Sequence, residues 1–141
     1  MDAVRRLAVL AEERNVHVDL DAPAAATVLA ELEGLARAVI TVLHNAIKYA
    51  ADSGTVEVRV TRDGDFVELC VSDDGRGFTE EGLRRAFDRF WRDDEARTLP
   101  GSGLGLAIAK ATVERFGGTI AIANGEGRGG VVRLRFPAQP R

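Results

Sequence analysis

Four short stretches carry residues whose types and spacing suit chemistry. His44-Asn45-Ala46-Ile47-Lys48-Tyr49 sets a side-chain amide and an amine three positions apart. Asp73-Asp74-Gly75-Arg76-Gly77-Phe78 follows two carboxylates with spaced glycines. Phe87-Asp88-Arg89-Phe90-Trp91-Arg92 groups three aromatics with arginines. Pro100-Gly101-Ser102-Gly103-Leu104-Gly105-Leu106 alternates three glycines with small or apolar residues and turns at once into a helical pattern. Glycines allow close approach of backbone to a ligand, and a helix start offers unpaired N–H groups to an anion. The last stretch therefore reads as a phosphate cradle.

These stretches need elements to position them. Residues 33–50 form a strong helix, with an apolar stripe at Leu35, Val39, Val42, Leu43, Ala46, Ile47 and Ala50. Arg37, Thr41, His44, Asn45 and Lys48 recur at three- and four-residue spacing, so they project from one side. A solvated face is the plain reading of that stripe, but asparagine is a poor residue for a helix interior. Residues 55–61 and 66–73 alternate apolar and polar residues around Asp63-Gly64, which predicts an antiparallel hairpin. The second strand runs straight into Asp73 and Asp74, where a turn with solvated acids is the alternative to a site. Thr79 with Gly82 predicts a capped helical turn over 79–83.

Residues 104–116 form the second strong helix, with Lys110, Glu114 and Arg115 on its polar side and Gly117-Gly118 at its end. Strands follow at 119–123 and 131–136, joined by the glycine-rich turn 124–130. Upstream, residues 4–14 read as an amphipathic helix, 16–20 as a strand with His17 toward solvent, and 27–30 as a further short strand. The polar loop 93–103 is of a length that is usually mobile or functional.

The chain has 141 residues, 45% of them hydrophobic, which suits one globular domain. Its net charge of −3 argues against nucleic-acid binding through bulk charge. Arginine supplies nearly all the positive charge, and Lys48 and Lys110 are the two lysines. Cys70 is the single cysteine, so no internal disulfide forms, and its place in a strand predicts a buried, inert thiol. No apolar run approaches the ~20 residues that span a bilayer, and no signal peptide is evident. The expectation is a soluble chain that is a piece of something longer.

In order and texture these stretches resemble the ATP-binding catalytic domain of bacterial two-component sensor histidine kinases. His44 to Tyr49 resembles that family's asparagine box, Asp73 to Gly77 its first glycine box, Phe87 to Arg92 its phenylalanine box, and Gly101 to Leu106 its second glycine box. The resemblance implies a two-layer α/β sandwich: a mixed, mostly antiparallel sheet covered on one face by three helices, with a mobile ATP lid at about 92–103. It makes residues 1–141 a single domain that lacks the dimerisation and phosphoacceptor part. A Rossmann or P-loop fold does not fit, because no Gly-Lys-Ser/Thr follows the glycines and they lie late in the chain.

By the same resemblance, Asn45 offers an oxygen to Mg²⁺. Lys48 brings a positive charge to the phosphates or ribose, and these two are the catalytic residues. Tyr49 lies against the nucleotide, as does Phe78. Asp73 accepts from the adenine exocyclic amine, and Gly75 and Gly77 let the backbone pass the base. Gly101, Ser102, Gly103, Leu104, Gly105 and Leu106 line the phosphates, and Arg92 contacts phosphate or a partner domain. Phe87, Phe90 and Trp91 pack the base of the lid.

Two departures stand out. Thr41 occupies a position where many members carry a second asparagine, so Mg²⁺ is held by one side chain plus water. Gly129-Gly130-Val131 lacks the hydroxyl residue that often follows the glycine.

Threonine at 41 also separates this chain from relatives that place a glutamate there as a base for water or a serine hydroxyl. The implied function is donation of the γ-phosphoryl group of Mg²⁺–ATP to a histidine on a separate dimerisation domain, with a response regulator downstream. Neither His17 nor His44 has the setting of an acceptor. A monomeric isolated domain, a homodimeric parent, a cytoplasmic location under a membrane-anchored parent and no nucleic-acid partner complete the expectations. A regulatory nucleotide-binding module and an anti-sigma-factor serine kinase are the competing readings.

Overall fold

The computed structural model describes residues 9, 11–13, 15–21, 33–51, 53–88, 105–125 and 129–137. The expected strand at 27–30, the lid at 92–103, Phe90, Trp91, Arg92 and the cradle residues Gly101 to Leu104 lie outside the described residues, as does most of the helix expected at 4–14.

Alternating apolar residues build the strands. The strands are β1 (His17–Asp21), β2 (Thr55–Asp63), β3 (Phe66–Asp73), β4 (Thr119–Asn124) and β5 (Gly130–Pro137). They form one sheet in the order β1-β2-β3-β5-β4. β1 runs parallel to β2 and every other pair is antiparallel. The hairpin expected at Asp63-Gly64 is present, with Asp63 paired to Phe66 across the turn.

Strand period sends Val67, Leu69 and Val71 of β3 and Val132, Leu134 and Phe136 of β5 to one face, where they are buried. Two helices cover that face: α1 (Glu33–Tyr49) and α3 (Gly105–Arg115). α1 contributes Ala38, Val39, Val42, Ala46 and Ile47 to the core, and α3 contributes Ala109 and Val113. Residues 11–13 are helical and Ala11 packs on the same core, which supplies a third helical contribution. The short helix α2 (Glu80–Arg85) begins as expected, with the Gly82 N–H donating to Oγ1 of its cap Thr79 at 2.9 Å. Among the described residues no helix is long and apolar enough to cross a membrane.

Among the described residues no helix covers the opposite face of the sheet, as antiparallel sheets allow. Glu68 and Arg133 meet there at 3.7 Å, and the Arg135 guanidinium lies 4.6 Å from the centroid of the Phe66 ring. Cys70 is half-buried on this side, between Arg59 and Arg133 in the ladders, rather than sealed in the core as its strand position suggested. The reason is parity: Leu69 and Val71 point inward, so Cys70 must point outward. His17 is exposed, as expected.

Candidate functional site

The site begins where the β3–β5 ladder ends. The last paired residues are Ser72 and Val131. The next N–H on β5, that of Gly130, donates instead to Oδ1 of Asp73 at 3.3 Å. The Gly75 N–H donates to the same oxygen at 2.8 Å. Oδ2 has no hydrogen-bond partner among the described residues, yet no buried side-chain oxygen or nitrogen there is left without one. Among the described residues Oδ2 is therefore not sealed from solvent. Burial raises the Asp73 carboxyl above its ordinary value, the two backbone N–H groups pull it back down, and neighbouring Asp74 pushes it up again.

Asp74 is used differently. Its Oδ1 accepts from the Ala51 N–H at 3.2 Å and its Oδ2 from the Thr55 N–H at 2.9 Å. Ala51 lies in the connection from α1 to β2 and Thr55 opens β2, so Asp74 ties that connection to the loop after β3. Gly75 lies so close to the Tyr49 carbonyl that no Cβ fits between them. The loop is thus pressed on the last turn of α1.

The turn between β4 and β5 closes the other side. Gly129 has φ +96°, and a Cβ there would overlap the carbonyl of Asp73. Both conditions call for glycine. The Gly125 N–H donates to the Gly129 carbonyl at 3.1 Å. Asn124 bonds the backbone of Phe78 twice, accepting from its N–H at 2.7 Å and donating to its carbonyl at 2.9 Å. A Cβ on Gly130 would lie 2.7 Å from Cε2 of Phe78, so the Phe78 ring takes the room of a side chain at 130.

α1 brings the amide and the amine. Its period of 3.6 places Thr41, Asn45 and Lys48 along one side. Asn45 is half-buried, and its side chain makes no hydrogen bond among the described residues. Lys48 Nζ sits 5.3 Å from the centroid of the exposed Tyr49 ring. Partial burial, and then the charge of Lys48, hold the His44 imidazole below its ordinary value. Among the described residues no group of three or more His, Cys, Asp or Glu side chains gathers in one place.

α3 starts at Gly105, where a Cβ would lie 3.2 Å from Cγ2 of Thr41. The N-terminus of α3 is therefore packed on the face of α1 that carries Asn45. Leu106 packs against the core. Phe87, half-buried against the core, holds Lys110 Nζ 5.1 Å from its ring centroid, which links the phenylalanine-rich stretch to α3.

The expected site residues that are described thus come from neighbouring parts of the fold: Asn45, Lys48 and Tyr49 on α1, Asp73 at the end of β3, Gly75, Gly77 and Phe78 just after it, and Gly105 and Leu106 on α3. Arg92, Gly101, Ser102, Gly103 and Leu104 fall outside the described residues. Sequence reasoning assigned no role to three residues that shape this region. Asp74 had a signal in its repeat of Asp73. Gly130 had one in the doubled glycine. Asn124 had none, because its partner is 46 positions away.

Two helices packed on one face of this mixed sheet, with an acid-and-glycine loop at the end of its central strand, make a two-layer α/β sandwich. The chain belongs to the histidine kinase-, DNA gyrase B-, and HSP90-like ATPase family, whose family model matches residues 30–140. Relatives within that family include sensor histidine kinases. The signal transduction histidine-protein kinase/phosphatase MprB of Mycobacterium ulcerans is 36% identical over 145 residues, covering 99% of this chain and 27% of the relative. The sensor-like histidine kinase SenX3 of Mycobacterium bovis is 36% identical over 139 residues, covering 97% of this chain and 34% of the relative. A solved structure of the mycobacterial sensor histidine kinase MprB superposes with a TM-score of 0.78 at 29% identity, covering 99% of this chain and 95% of that one. The chain spans about a quarter to a third of the length of these curated relatives.

Proposed function

We propose that this chain is a catalytic domain that binds Mg²⁺–ATP and donates the γ-phosphoryl group to a histidine on a separate dimerisation domain in two-component signalling. The observation that carries the reading is the half-free carboxylate of Asp73. Oδ1 is held by two backbone N–H groups, and Oδ2 keeps its acceptor capacity, with no hydrogen-bond partner among the described residues. Adenine offers an amine donor to such an oxygen, whereas guanine presents a carbonyl at that position and is repelled. Family membership supports the same ligand.

The remaining residues divide the work. Tyr49 and Phe78 flank the base as walls, and Gly75 and Gly77 keep the loop thin beside it. Asn45 holds its amide oxygen ready for a hard cation, and Lys48 sets a positive charge one turn on. The donor chemistry fits Mg²⁺, which retains waters and binds through few protein oxygens and substrate phosphates rather than a cage of acids. When bound, Mg²⁺ supplies neutralisation of phosphate charge. Gly101, Ser102, Gly103, Leu104, Gly105 and Leu106 offer backbone N–H groups and the start of α3 to phosphate oxygens, and Arg92 adds a cation.

Thr41 cannot take a proton near neutral pH, so water is not activated from that position. The neutral imidazole of an acceptor histidine is itself the nucleophile. Catalysis by these residues is positioning and charge stabilisation.

In this reading residues 1–141 are one domain, with the lid at about 92–103. The partners are the phosphoacceptor domain of the same kinase and a response regulator. The isolated domain is a monomer, the parent a homodimer anchored in the membrane, and the domain acts in the cytoplasm. Incubation with γ-labelled ATP tests the proposal. The chain alone binds ATP without keeping stable label, and added dimerisation domain bearing the acceptor histidine becomes labelled. Stable label on the chain alone, or no transfer to the added domain, overturns it.

A further inference from the structure

Asn124 closes β4 and pairs with Gly130 in the ladder. Its side-chain amide satisfies both backbone groups of Phe78, as a neighbouring strand would, at 2.7 and 2.9 Å. Gly77, with φ +79°, lets the loop come that close: a Cβ there would stand 2.6 Å from Oδ1 of Asn124 and 3.0 Å from the Gly129 carbonyl. The turn that starts at Asn124 ends at Gly130, whose N–H holds Oδ1 of Asp73. One turn thus grips the base-side loop at both ends, at Asp73 where the loop begins and at Phe78 where it finishes.

We propose that Asn124 is a positioning residue for nucleotide-base recognition, clamping the loop Gly75–Phe78 so that Asp73 presents Oδ2 in one fixed direction. The inference rests on the Mg²⁺–ATP reading above. Its physical basis is directional. A single acceptor discriminates amine from carbonyl only while its orientation is held, because a freed carboxylate swings to water or to another donor. Asn124 itself is exposed, so its removal takes little packing from the core.

The test compares ATP and GTP affinities of the 141-residue chain with those of Asn124→Ala, Asn124→Asp and Ile120→Val, together with hydrogen exchange at the Phe78 and Gly130 amides without nucleotide. Ile120→Val trims a buried methylene from the same strand and reports general destabilisation. In Asn124→Ala the ATP-to-GTP preference falls about tenfold and both amides exchange faster, the size expected from losing fixed hydrogen-bond geometry. Asn124→Asp keeps the acceptor for the Phe78 N–H but has no donor for its carbonyl, and falls between. Ile120→Val leaves the preference unchanged. An unmoved preference in folded Asn124→Ala, or an equal fall in Ile120→Val, overturns the inference alone. A wild-type chain that binds neither nucleotide overturns the Mg²⁺–ATP reading and the inference with it.

Discussion

Asp73 and Asp74 are neighbours with opposite employment. Asp74 commits both carboxylate oxygens to backbone N–H groups of Ala51 and Thr55, while Asp73 commits one oxygen and leaves the other open. Adjacent residues at a strand end point to opposite sides, so one carboxylate reaches back to the α1–β2 connection and the other turns toward Gly130. Asp74→Ala leaves two partly buried N–H groups without their acceptor. The expected loss is about 2 kcal/mol of stability, or roughly 8 °C in Tm for a chain of this size. Thermal unfolding followed by circular dichroism checks it; an unchanged Tm contradicts the clasp.

Asp73→Asn is expected to move function and stability in opposite directions. Burial, with Asp74 nearby, holds the Asp73 carboxyl above its ordinary value despite two backbone N–H donors. The folded state therefore binds this proton more tightly than the unfolded chain does. The associated stability is fully present below the ordinary carboxylate range and is lost as pH rises through the raised value. At neutral pH the ionised group is a cost that asparagine avoids. Asp73→Asn should melt higher than wild type at pH 7, with the gap closing on acidification. It should also lose adenine preference, with ATP binding weakened about tenfold or more through loss of a charge-assisted acceptor. Wild-type ATP affinity should fall as pH drops through the raised value. Paired melting curves and titrations across pH measure all three.

Asn45→Ala should leave the fold intact. The side chain makes no hydrogen bond among the described residues, and alanine is the better helix former by about 0.5 kcal/mol. The expected Tm is equal to or slightly above wild type, while Mg²⁺-dependent ATP binding weakens and transfer to the acceptor domain is abolished. Calorimetric titration with and without Mg²⁺ separates metal-dependent from metal-independent affinity. Full transfer by the variant would refute the metal role.

Gly129→Ala should be the most damaging small change. It forces an L residue to φ +96° and drives a methyl into the Asp73 carbonyl. A penalty of about 3 kcal/mol or more is expected from strain and overlap together. Denaturant unfolding would show a lower midpoint, with loss of ATP binding even in the folded fraction.

Much of the architecture was legible in local pattern. Period two in Val67, Leu69 and Val71 marked β3, and Asp63-Gly64 marked its hairpin. Period 3.6 set α1 and put Thr41, Asn45 and Lys48 along one side. The same period two, followed one step further, puts Cys70 on the open face; placing it in the core overlooked that rule. The strand ends shifted by one or two residues, as ends do where the last pairs depend on the neighbouring strand.

The amino-acid order by itself determined which segments become helix and strand, which faces are apolar, and where the amide, carboxylate and glycine-rich stretches fall, because these follow from neighbours a few positions apart. Only the tertiary structure decided how those residues are used. The Gly130 N–H reaches Asp73 across 57 positions and Asn124 reaches Phe78 across 46, so no local pattern announces either bond. Pairing β5 beside β3 brings Gly129 and Gly130 onto the end of β3, and that contact takes one oxygen of Asp73 while Asp74 spends both of its own on Ala51 and Thr55.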